Sequence, residues 1–179
     1  SDVKRLDFRD VFTDDCMCII EMMLTNTSIT QLSLSDCNID ARNIEAVATM
    51  LSRNKLLKAL DLSFNDFSDM NLLKIGTFAS SLKKNKSLAK LYMSNLSLND
   101  EGGVLLAKAL SLNESIEILD LSHNELHTKS LNAFKKCFMI NVTLKCVFFN
   151  DNYLHDNAML TMANKFRKKN NLPSILFHL

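Results

Sequence analysis

Residues Ile116 to Leu126 read I-E-I-L-D-L-S-H-N-E-L. Ile116, Leu119, Leu121 and Leu126 stand at the spacing L-x-x-L-x-L-x-x-N-x-L, with Asn124 in the polar position. Such a pattern suits a short half-buried strand followed by a turn. The same spacing starts again at Val3 (Leu6, Phe8), Ile29 (Leu32, Leu34, Cys37, Ile39) and Leu57 (Leu60, Leu62, Asn65, Phe67). It starts also at Leu88 (Leu91, Met93, Leu98) and at Leu144 (Val147, Phe149, Asn152, Leu154). Counting Ile116, successive starts lie 26, 28, 31, 28 and 28 residues apart. One more step of 28 lands on Leu172, and Leu172, Ile175 and Phe177 predict a seventh strand stub. A fixed period of this length means a stacked array.

A second marker keeps the same frame. Asn26, Asn54, Asn85, Asn113 and Asn141 each sit three residues before the next strand start. All but Asn54 fall in N-x-S/T form, the pattern of a glycosylation acceptor in a secreted protein. Their phase with the repeat favours a structural role at the helix-to-strand corner, where an Asn can satisfy backbone groups. Between strand and corner runs a helical stripe: Ile44, Val47, Met50 and Leu51; Val104, Leu105 and Leu110; Met159, Met162, Ala163 and Phe166. Asp40, Ser68, Asn99, Thr128 and Asp156 are the expected N-caps. Lys83, Lys84, Lys135, Lys136, Arg167, Lys168 and Lys169 gather near helix ends, where a solvated cation suits the negative dipole pole better than a phosphate site does. The third unit is three residues longer, and the excess falls in residues 68–76, on the helical side. The first unit is two residues short and has Val11 where Asn or Cys is usual.

One strand plus one helix per unit predicts an α/β solenoid with a parallel inner sheet, whose core is continuous only through stacking. The 179 residues, 47% hydrophobic with net charge +1, fit one soluble unit. That charge balance points to neither nucleic acid nor a lipid surface. Three Gly and one Pro leave no flexible linker or Pro-rich tail, and no apolar run is long enough to span a bilayer. Cys16, Cys18, Cys37, Cys137 and Cys146 are odd in number and lack C-x-x-C spacing, so they read as free thiols in a reducing, cytoplasmic compartment.

Ile116–Leu126 with the Asn141 corner, Leu57-Lys-Ala-Leu-Asp-Leu-Ser-Phe-Asn65, and the helical stretch Asn99 to Leu110 resemble the ribonuclease-inhibitor-like class of leucine-rich repeats. The resemblance covers nearly the whole chain. It implies a horseshoe with the parallel sheet on its concave face and helices on its convex face. Residues 1–179 would form a single domain of six repeats plus a terminal strand stub, part of a larger protein. The class includes inhibitors, innate-immune sensor tails, Ran GTPase activators, actin-filament cappers and microbial effectors, so it implies little about the partner.

Catalysis needs a nucleophile, a base and an orienting group that converge. Asp120, Ser122 and His123 lie together in sequence, but adjacent residues of an extended segment do not form a triad. Cys16 and Cys18 diverge on a helix by about 200°, and His123, His127 and His155 lack a thiolate partner. Gly102-Gly103 is a pair at a helix start, not a phosphate loop. No enzyme, cofactor or metal site is expected.

The informative surface is the inner sheet, where residues between the leucines face outward. Three columns result: Arg5, Gln31, Ala59, Lys90, Ile118, Cys146; Asp7, Ser33, Asp61, Tyr92, Asp120, Phe148; and Arg9, Ser35, Ser63, Ser94, Ser122, Asn150. Strands about 4.8 Å apart spread these over roughly 24 Å. Tyr92 and Phe148 suit the anchors of a protein interface, although Phe148, Ile118 and Cys146 could instead pack against a missing C-terminal segment. The expected partner surface is Arg5, Asp7, Arg9, Gln31, Ser33, Asp61, Ser63, Lys90, Tyr92, Asp120, Ser122, His123, Phe148 and Asn150. The reading is a non-enzymatic module that binds another protein, with no nucleic acid, membrane or small-molecule substrate. The alternatives are a GTPase-activating scaffold resembling the Ran activators, for which Arg5 and Arg9 are the only inner-face arginines, and the ligand-sensing tail of an innate-immune-type receptor.

Overall fold

The computed structural model describes residues 3–11, 16–153 and 158–178, the last segment with side chains from Leu160 onward. Seven three-residue strands form one parallel sheet in sequence order: β1 Arg5–Asp7, β2 Gln31–Ser33, β3 Ala59–Asp61, β4 Lys90–Tyr92, β5 Ile118–Asp120, β6 Cys146–Phe148 and β7 Leu176–His178. Between them come α1 Cys16–Thr25, α2 Asn43–Arg53, α3 Leu72–Lys84, α4 Asn99–Leu110, α5 Thr128–Ile140 and α6 Ala158–Lys169. Register places Leu6, Leu32, Leu60, Leu91, Leu119 and Val147 in one column beneath the sheet, as the repeat spacing predicts, and Phe177 joins it where a further step of 28 puts Ile175. The seventh strand is present. The core is one continuous slab between sheet and helices, since no unit alone could cover its leucines.

Two rows of asparagine hold the turns in stack. At the corners, Asn85 Nδ2 donates to Leu51 O (2.6 Å), Asn113 Nδ2 to Leu82 O (2.7 Å) and Asn141 Nδ2 to Leu110 O (2.7 Å), each a carbonyl one unit earlier. Their Oδ1 atoms accept from the chain two and three residues on, which starts the next strand. These amides are buried and fully used, so the N-x-S/T pattern at Asn85, Asn113 and Asn141 is structural. After the strands, Asn65, Asn124 and Asn152 donate to the preceding unit and accept from its turn in the same fashion. Leu96 occupies this position in the fourth unit, and its backbone carbonyl takes Phe67 N instead (2.8 Å).

The helices depart from the sequence expectations in three ways. Ser68 does not cap α3; Asn71 does, accepting from Lys74 N at 3.0 Å. Thr128 does not cap α5, because Asp100 of the preceding helix fills that role. Asp40 and Asn99 do accept first-turn amides, while Asp156, Leu154 and His155 lie outside the described residues. In α4 the core is reached by Leu106, Ala107 and Leu110, with Val104 and Leu105 half-buried. The buried side of α6 carries Leu160, Ala163 and Arg167, whereas Met162 and Phe166 are exposed.

Arg167 is thus no solvated helix-end cation. It is fully buried, donating through Nη1 to the carbonyls of Phe138 (2.7 Å) and Asn141 and through Nε to that of Pro173. Phe138 and Asn141 stand one 28-residue unit beyond Leu110 and Asn113, the carbonyls that the Asn141 side chain itself binds. The guanidinium therefore substitutes for a corner asparagine.

Candidate functional site

Because each strand is only three residues long, two of the expected columns lie in the sheet and the third lies past it. The first is Arg5, Gln31, Ala59, Lys90, Ile118, Cys146 and Leu176; the second is Asp7, Ser33, Asp61, Tyr92, Asp120, Phe148 and His178. Gln31 and Lys90 are exposed, and Asp61, Tyr92 and Asp120 are half-buried side by side. Burial pushes the Tyr92 phenol up from its ordinary pKa, and the Asp61 and Asp120 carboxylates push it further the same way. Tyr92 therefore keeps its proton at neutral pH and offers both a ring and an O–H donor.

Beside Tyr92 a groove of about 280 Å³ opens across β1 to β4, with Arg5, Gln31, Lys58, Lys90 and Asp61 around it. A second recess, about 470 Å³, lies on the other side of Tyr92 toward the turn tips, lined by Asp36, Phe64, Ser94 and Asp120 among others. Tyr92 borders both. One side of the ring is cationic and the other acidic.

Several expected site residues are not available as surface. Ser33, Ser63 and Ser122 are buried, at 6%, 5% and 7% exposure. Ser63 and Ser122 lie beyond the strand ends, where the chain curls inward and their amides donate to Asp61 Oδ1 (3.0 Å) and Asp120 Oδ1 (2.9 Å). Ser63 Oγ accepts from Ser94 N, and Ser122 Oγ donates to Asn150 Oδ1. Ser33 ends β2, and its Oγ is buried without a hydrogen-bond partner among the described residues. Asp7 binds Arg5 (2.9 Å) and Arg9 (3.2 Å), so those three exposed residues form one local cluster. Phe148 stacks on His178 of β7, ring centres 4.4 Å apart. The C-terminal strand covers it.

The grouping Asp120, Ser122, His123 is dispersed. Asp120 holds the Ser122 amide, Ser122 turns to Asn150, and His123 Nε2 lies 3.2 Å from the Asp151 carboxylate. Among the described residues no group of three or more His, Cys, Asp or Glu side chains could hold a metal ion. Burial raises the Cys37 and Cys137 thiols to about 12, which removes them as nucleophiles.

Phe64 is the surface residue that sequence reasoning passes over. It stands at the turn tip shared by Asp10, Asp36, Asn95, His123 and Asp151, all with left-handed backbone. Those residue types tolerate positive φ; a phenylalanine at φ 60° is unusual, and its ring is 57% exposed. The signal was an aromatic where the other turns carry Asp, Asn or His. Tyr153, stacked on His127 at 4.0 Å, was also missed.

An open parallel sheet inside, helices outside and asparagine rows between turns define a leucine-rich repeat solenoid. Family models described as Leucine Rich repeat match residues 25–48 and 53–70, and a further Leucine Rich Repeat model matches residues 115–137. No curated protein matches the chain significantly in sequence. Among solved structures, "Leiomodin-1 Actin-Binding Site 2 (ABS2)" is similar at 15% identity and TM-score 0.71, covering 85% of this chain and 87% of that one. The tropomodulin C-terminal domain of Caenorhabditis elegans is similar at 12% identity and TM-score 0.67, covering 89% and 94%. The chain has the leucine-rich repeat fold, and these likenesses are of fold alone. Among the described residues no helix is long and apolar enough to cross a membrane.

Proposed function

We propose that this leucine-rich repeat protein is a non-enzymatic interaction module that captures another protein on its concave face. The observation that carries this reading is Tyr92, a protonated phenol between two carboxylates, with a cationic groove on one side and an acidic recess with exposed Phe64 on the other. An aromatic anchor ringed by mixed charge suits a protein surface better than a small substrate. The working surface is Arg5, Gln31, Lys90, Tyr92, Asp61, Asp120 and His123 from the expected set, joined by Lys58 and Phe64. The repeats are read as ribonuclease-inhibitor-like because most units pair a strand with a full helix at a period near 28, and the setting as cytoplasmic, within a single domain over residues 1–179 of a longer protein.

Leiomodin-1's structure is described as an actin-binding site, which makes actin the first partner to test. Co-sedimentation with actin filaments, alongside pull-down with the concave face intact or altered, tests the reading. Capture that survives Tyr92→Ala together with Lys90→Glu would place the partner elsewhere. The GTPase-activating alternative rests on Arg5 and Arg9, and Asp7 binds both. Faster GTP hydrolysis by a small GTPase, lost in Arg9→Ala, would replace the binding reading.

A further inference from the structure

The extra length of the third unit ends as two leucines in water. Asn71 caps α3, so that helix begins at Leu72, and Leu72 and Leu73 stand 50% and 78% exposed while Ile75 and Phe78 face the core. From Leu73 the outer side of α3 continues through Gly76, Thr77 and Ser80 to Lys83; across from it α4 presents Leu105, Lys108 and Ala109, and the turn after it Leu112. Each series follows the three- and four-residue spacing of a single helical stripe. Between them lies an open groove of about 570 Å³ on the convex face.

Its floor is unfilled by design of side-chain size. A Cβ added at Gly76 would meet only Leu105 Cδ1, at 4.0 Å. The next junction, α4 against α5, is closed: a Cβ at Gly103 would come within 2.7 Å of Ser130 Cβ and 2.8 Å of Leu126 Cδ2. Exposed Leu73 and Leu112 are thus the apolar rim of a cleft, not isolated surface residues. Lys83 and Lys108 stand on that rim, and among the described residues no carboxylate lines it.

We propose that the α3–α4 groove docks an amphipathic helix of a partner protein, one with leucine-type anchors and acidic residues beside them. Two parallel helices of 13 and 12 residues give a trough about 18 Å long, matching three turns of a bound helix. Anchors at helical spacing fill such a trough, and the two lysines select carboxylates over ammonium groups by charge complementarity. This site is on the opposite face from the concave surface and does not depend on it.

The test uses the full chain and three labelled synthetic helical peptides of about 18 residues. They share one leucine stripe and differ in carrying Glu, Lys or Gln on the polar side. Fluorescence anisotropy should show the Glu peptide binding about tenfold tighter than the Lys peptide. Gly76→Leu, whose Cβ meets Leu105 Cδ1 in ordinary contact at 4.0 Å, should weaken the Glu peptide about tenfold with the melting temperature held or raised. Lys83→Glu with Lys108→Glu should reverse the peptide preference, and Tyr92→Ala should leave it unchanged, which separates this site from the concave one. If Gly76→Leu lowers the melting temperature, Leu73→Asp at its exposed position replaces it. Equal affinity for all three peptides, no binding of the Glu peptide at millimolar protein, or binding untouched by the groove variants would overturn the proposal. A concentration-dependent dimer dissolved by Leu73→Asp would also overturn it, since the occupant would then be a second copy.

Discussion

Asp100 and Ser130 belong to neighbouring helices, and the carboxylate of the first accepts the backbone amide of the second at 2.9 Å. The same carboxylate takes the amides of His127 (3.0 Å) and Lys129 (3.3 Å). An N-cap is ordinarily local; here α4 caps α5 across a repeat boundary. Asp100→Ala should therefore lower unfolding free energy by about 1 kcal/mol, the usual worth of a cap, and Asp100→Asn by less. Urea denaturation measures both. An unchanged midpoint for Asp100→Ala would mean that water satisfies those amides equally well.

The same contact has a pH signature. Partial burial pushes the Asp100 carboxyl up, but hydrogen bonds from Ser130, His127 and Lys129 outweigh it and hold the pKa below the usual carboxylate range. A depressed folded pKa means stability that is fully present above the unfolded value, near 3.9, and lost as pH falls through the folded one. Wild type should shed this contribution in that acid window, and Asp100→Asn should not. Parallel acid limbs for the two proteins would refute the assignment.

Arg167 offers a sharper test of the stacking. Arg167→Met leaves the carbonyls of Phe138, Asn141 and Pro173 without their donor in a buried corner. A loss of about 2–4 kcal/mol is expected, with Arg167→Lys recovering part of it through one cation and fewer hydrogen bonds. Thermal unfolding checks this, and a loss under about 0.5 kcal/mol would show that the corner relaxes around the gap.

The two concave aromatics should separate. Tyr92→Ala removes a half-buried side chain from an open face, so capture should fall while the melting temperature stays nearly constant. Phe148→Ala removes the ring under His178 and should loosen β7, seen as faster amide exchange at Leu176 to His178. Capture lost in Phe148→Ala but retained in Tyr92→Ala would invert these roles.

The repeat spacing made the sheet legible because each leucine column answers to one register, although the seventh strand, expected one period on, pairs Phe177 and not Ile175 with Val147. What escaped was whatever depends on a neighbouring unit. Asp100 looks like an ordinary acidic first-turn residue until α5 is placed beside it, and Arg167 looks like a helix-end cation until the missing corner asparagine is noticed. The surface was read less well, for a geometric reason. Alternation holds only within a strand, and these strands stop before Ser63 and Ser122, so the outward-facing rule was carried two residues too far. Phe64 lay within that same neglected turn.

Phe64 also divides two kinds of fitness. A bulky residue held at φ 60° costs on the order of 1 kcal/mol relative to Asn, which accepts that backbone readily. Phe64→Asn should then raise the melting temperature while stripping the rim of its most exposed ring. A library of variants screened for heat resistance alone would discard this phenylalanine early, whereas one screened for partner capture would keep it. Comparing what survives at this single position in the two screens would reveal whether the molecule trades robustness for recognition.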